Sequence, residues 1–118
     1  MRIQEAMGMG VPAGTAQALA GSCNDNFTAT GTTAADAATL VAANTLVLAG
    51  ADNTGVILPA SAQIGDAFYI GVGTGNDVLV YPPTGEEINN AASKNMPSAT
   101  GGVFIKVGPL HWIGIASA

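Results

Sequence analysis

Charge is what this chain has least of: Asp, Glu, Lys and Arg together make up 9% of its 118 residues, against roughly 25% in ordinary soluble domains. Its basic residues are only Arg2, Lys94 and Lys106, and its net charge is −5. Three scattered cations cannot form a basic stripe along a phosphate backbone, so nucleic-acid binding is disfavoured. The single cysteine, Cys23, rules out an internal disulfide and a multi-thiolate metal site. The single histidine, His111, offers no second imidazole for a metal and is expected at a strand edge beside Trp112. No segment reaches the ~18 apolar residues of a membrane span, the longest bland stretch being broken by Asp36, Asn44 and Asp52. The N-terminal MRIQEAMGMGVPAG lacks the continuous apolar core of a signal peptide.

What remains is apolar and small. Hydrophobic residues are 48% of the chain, and a length of 118 residues fits one domain with no room for a second. A surface so poor in charge favours association with copies of itself or with a larger assembly.

The chain divides by texture. Residues 1–38 are rich in Ala, Gly, Thr, Ser and Asn, with Ile3, Val11, Leu19 and Phe27 almost alone as large apolar side chains. That is too little to bury independently. This segment reads as an arm, extended or partly helical, with Ala13 to Gly21 a short helix capped by Thr15. Ile3, Val11, Leu19 and Phe27 are its expected contact residues.

Residues 39–118 have the texture of strands. NTLVLAG, TGVILPA, DAFYIGV, DVLVYPP, GVFIKVG and HWIGIAS are short runs of β-branched and aromatic residues separated by Gly, Asn, Asp and Pro. The expected fold is all-β: a compact antiparallel β-sandwich, jelly-roll-like, with GADNTG, GTGND and VGPLHW as hairpin or short-loop links. LPASAQIGD breaks the strand pattern and suits a crossover between sheets. Expected fold-forming residues are Phe68, Tyr69, Ile70, Val78, Val80, Ile88, Phe104, Ile105, Trp112 and Ile113.

Candidate chemistry is sparse. GVGTGND departs from a dinucleotide-binding loop and no helix-forming stretch follows it. No Ser sits in a nucleophile elbow, and the aspartates fall in turns, where Asp bonds local backbone. Glu86 and Glu87 in YPPTGEEIN are adjacent; on a strand they face opposite ways and cannot serve one cleft as a glycosidase pair. They read as a charged edge that resists unwanted strand pairing. No catalytic residue, cofactor or metal is expected, and the chain does not read as an enzyme.

From Thr54 to Ile115 the order of motifs resembles tailed-bacteriophage virion proteins: GVILPASAQIGDAFYI, then VLVYPPTGEEINN, then GGVFIKVG and a closing HWIGI. The resemblance implies a head decoration (cement) protein or a fibre or spike module, usually a trimer. On the first expectation a short frame complete from Met1 binds the major capsid protein on the outer surface of the virion head. It stabilises the shell at capsomer junctions, with itself as homotrimer partner and neither nucleic acid nor membrane as partner. Its acidity also favours the outside, because packaged DNA would repel it. The alternative is a tail fibre, spike or receptor-binding module in which Tyr69, Tyr81 and Trp112 stack on a host surface glycan.

Overall fold

The computed structural model describes residues 22–116, and among them the chain is all-β, without a helix. The strands are β1 (Cys23–Thr28), β2 (Ala38–Thr39), β3 (Asn44–Leu48), β4 (Thr54–Ile57), β5 (Ala67–Val72), β6 (Val78–Tyr81), β7 (Glu87–Ile88), β8 (Lys94–Met96), β9 (Gly101–Gly108) and β10 (His111–Ala116). They form a six-stranded sheet A, in the order β1-β3-β5-β9-β10-β7, and a four-stranded sheet B, in the order β2-β4-β6-β8.

The antiparallel sandwich expected from the sequence does not form; both sheets are mixed. In sheet A, β1, β3 and β5 run parallel, and in sheet B so do β2, β4 and β6. The chain alternates between the sheets and winds as a short solenoid. Register partners Cys23, Asn44 and Tyr69 lie 21 and 25 residues apart, which sets the length of successive coils.

The corners explain the difference. GADNTG and GTGND do contain positive-φ residues, Asn53 at 63° and Gly75 at 105°, but they carry the chain from sheet A to sheet B and make no hairpin. Their polar groups bond the next coil: Asn53 N–H donates to Asp77 O at 3.1 Å and Asp77 N–H to Asp52 Oδ1 at 3.0 Å. LPASAQIGD is the expected crossover, leading from β4 in sheet B to β5 in sheet A.

The C-terminal part reverses direction. β8 runs antiparallel to β6 and β9 antiparallel to β5, while VGPLHW joins β9 to β10 as the expected hairpin. Pro82 and Pro83 end β6, since neither can donate to a ladder. Thr84 and Gly85 then turn the chain, with Gly85 at φ 86° and Glu86 N–H donating to Pro83 O at 2.9 Å. A positive φ at the third position is what a type II turn requires.

The core lies between the sheets. Val47, Ile70, Val72, Phe104 and Trp112 from sheet A meet Val56, Val78, Val80 and Met96 from sheet B, with Leu40, Leu58 and Ile88 closing the sides. Each such side chain contributes about 1.5–3 kcal/mol by leaving water. Of the expected fold-forming residues, Tyr69 and Ile113 instead turn outward, 55% and 44% exposed, and Ile105 is only half-buried. Strand alternation is the reason: once Ile70 and Trp112 face sheet B, their neighbours must face away.

Candidate interaction surface

The two glutamates part company. Glu87 is exposed on β7, an edge strand of sheet A, where a charge discourages pairing with another chain. Glu86, expected on the same charged edge, is enclosed. Its Oε1 accepts a 2.8 Å hydrogen bond from the Trp112 indole Nε1–H and lies 3.2 Å from Lys106 Nζ, both charged side chains being 10% exposed. The turn at Thr84-Gly85 directs Glu86 toward the inward-facing row of β9 and β10, where Lys106 lies in line with Phe104. Nothing in the sequence marks Lys106 as an inner residue except its phase with Phe104. With one oxygen shared by two donors, this carboxylate ties β7, β9 and β10 together.

The remaining chemistry-bearing residues are dispersed. Cys23 and His111 are both exposed, but β3, β5 and β9 stand between their strands. Four strand spacings of about 4.8 Å keep them far from hydrogen-bond reach. The aspartates serve the corners: Asp66 Oδ2 accepts from Gln63 N–H at 2.8 Å, and Asp77 Oδ1 accepts from Ser98 N–H at 3.0 Å. Asp52 and Asp77 thus join three successive corners. Among the described residues no group of three or more His, Cys, Asp or Glu is placed to hold a metal ion.

The most distinctive surface is the outward face of sheet A. Leu46 and Leu48 of β3, Tyr69 of β5, Val107 of β9 and Ile113 and Ile115 of β10 are each between 40% and 61% exposed. Register sets them side by side: Ile115 pairs with Val103 and Val103 with Tyr69, while Ile113 pairs with Ile105 and Ile105 with Ala67. The outward residues of β3, β5, β9 and β10 include no Asp, Glu, Lys or Arg. Carboxylates appear only at the margins, Asp25 on β1 and Glu87 on β7. Near the β1 side, Gly71 and Gly101 omit outward side chains and leave an open depression of about 480 Å³ beside Leu46 and Tyr69. A contiguous apolar face with a polar rim is the usual form of an interaction site.

Of the expected arm contacts, Ile3, Val11 and Leu19 lie outside the described residues, as does the helix expected at Ala13 to Gly21. Phe27 belongs to β1 and packs, partly buried, against the chain's own core. Of the three aromatics expected to meet a glycan, Tyr69 is exposed, Tyr81 half-buried and Trp112 2% exposed. The chain matches no protein-family model, and no curated protein is significantly similar to it.

Proposed function

We propose that this chain is a tailed-phage head decoration protein, acting as a homotrimer on the outer surface of the capsid. The observation that carries the reading is the broad, uncharged, apolar face of sheet A on a well-packed β scaffold. A surface of that kind suits association with protein and suits neither phosphate nor metal. The order of motifs between Thr54 and Ile115 and the net charge of −5 are further support, since an acidic protein is repelled by packaged DNA. The mechanism is mechanical: binding at capsomer junctions adds buried area across seams that open under internal pressure. Ile3, Val11 and Leu19 of the N-terminal arm supply contacts to the major capsid protein, whereas Phe27 is engaged in the chain's own core.

A second reading is a tail fibre or spike module that recognises a host surface glycan. It is favoured by the parallel coils, which stack along an axis as in extendable repeat architectures. Trp112, being buried, is withdrawn from the glycan-stacking role, leaving Tyr69 as its exposed aromatic.

Labelled electron microscopy of purified virions, with quantitative mass spectrometry of copy number, tests both readings. Label over the head and copies in the hundreds are expected. Label confined to the tail tip would favour the second reading, and absence from virions would overturn both.

A further inference from the structure

From the outward face of sheet A we infer that copies of this chain bind one another there, burying Leu46, Tyr69, Ile113 and Ile115 against a second copy. The contact pairs two copies through the same face, so it is separate from the trimer contacts of the reading above, and it needs no capsid. A protein that never meets a phage head would still associate through this face.

Area is the first argument. Four strands, β3, β5, β9 and β10, spaced about 4.8 Å apart and rising about 3.3 Å per residue, give a face of about 400 Å² in projection. That lies within the roughly 300–600 Å² of the largest apolar patch on a typical monomer, a patch that is often functional. With side-chain relief it approaches the ~600 Å² per partner of the smaller specific interfaces.

Charge decides the occupant. Each copy carries a net charge of −5, so two copies repel wherever their carboxylates meet. The outward residues of β3, β5, β9 and β10 hold none, and Asp25 and Glu87 stand outside them on the two edge strands. Copies that meet face to face therefore bury the uncharged centre and leave the carboxylates at the wet rim. A basic partner would find no charge to pair with in the centre. A partner has to be flat, apolar and uncharged, and this face meets that requirement itself.

Shape agrees with charge. Sheets pack face to face about 10 Å apart by interdigitating side chains. The depression at Gly71 and Gly101 lies beside the projecting Leu46 and Tyr69. Relief and recess on one face are what a self-complementary contact needs.

Sedimentation velocity of the full chain over a range of micromolar concentrations tests the inference. Because the contact joins copies in pairs, the expected mass is an even multiple of the 11.6 kDa protomer. Leu46→Glu and Ile113→Glu, each placing a carboxylate in the centre, should each weaken association at least tenfold. Val41→Glu, at a residue 74% exposed outside the strands, should leave it unchanged. Circular dichroism checks that each variant is folded. If a face variant is not, carbene footprinting of the unaltered chain decides the matter: Tyr69 and Ile115 become protected as concentration rises. A monomeric chain at all concentrations overturns the inference. So does an unchanged oligomer in folded face variants, or protection of Tyr69 that is independent of concentration, which would mean that the chain covers its own face. Loss of head labelling with self-association intact would overturn the decoration reading and leave this one standing.

Discussion

Glu86 and Trp112, 26 residues apart in the chain, are joined by a 2.8 Å hydrogen bond from the indole Nε1–H to Oε1, at the same oxygen that pairs with Lys106. The bond links the turn after β6 to the last strand, and it gives a buried indole the polar partner that it needs.

Removing one member of the Glu86–Lys106 pair should be costly, because the other charge then stays enclosed without its partner. Glu86→Gln and Lys106→Met are each expected to lose about 3 kcal/mol. The double variant should lose clearly less than the sum. Urea unfolding of the three variants measures the coupling, and strict additivity would contradict the arrangement.

The single tryptophan reports on the same region. Trp112 is 2% exposed, so its fluorescence should be blue-shifted and poorly quenched by acrylamide in the native protein, and both properties should be lost on unfolding. Efficient quenching of the folded chain would contradict the burial of this side chain.

Gly114 on β10 has no room for a side chain. A Cβ there would stand 2.7 Å from Phe104 Cε1 and 2.9 Å from Ile88 Cγ2. Gly114→Ala should therefore overpack the core and cost about 1–3 kcal/mol, read as a lowered Tm. An unchanged Tm would mean that the ring moves aside freely.

The corner carboxylates make a separate prediction. Asp77 Oδ1 accepts the Ser98 N–H at 3.0 Å, and its own N–H is held by Asp52 at 3.0 Å. Asp77→Ala should cost about 1–2 kcal/mol and raise hydrogen exchange at the Ser98 amide. Asp25→Ala, at an exposed residue on the sheet edge, should do neither.

Much of the local structure was legible in the residues. The apolar runs from NTLVLAG to HWIGIAS became strands, Pro82 and Pro83 stopped β6, and LPASAQIGD crossed between sheets. The direction of strand pairing was not legible. A Gly/Asn/Asp corner that feeds a hairpin and one that feeds the next coil share their turn residues, because both need a sharp reversal and a positive φ. The outward face was half-legible: the alternate spacing of Val103, Ile105 and Val107 puts them on one side of β9, yet which side faces water depends on sheet B.

Strand-rich character, scarcity of charge and the places where the chain bends follow from side-chain shape, composition and φ preference alone. Only the tertiary structure decided that successive strands stack parallel in coils, that Lys106 and Glu86 meet beneath Trp112, and that Leu46, Tyr69, Ile113 and Ile115 share a face. Those facts depend on register between residues 20 to 38 positions apart, and no local preference encodes a partner at that distance.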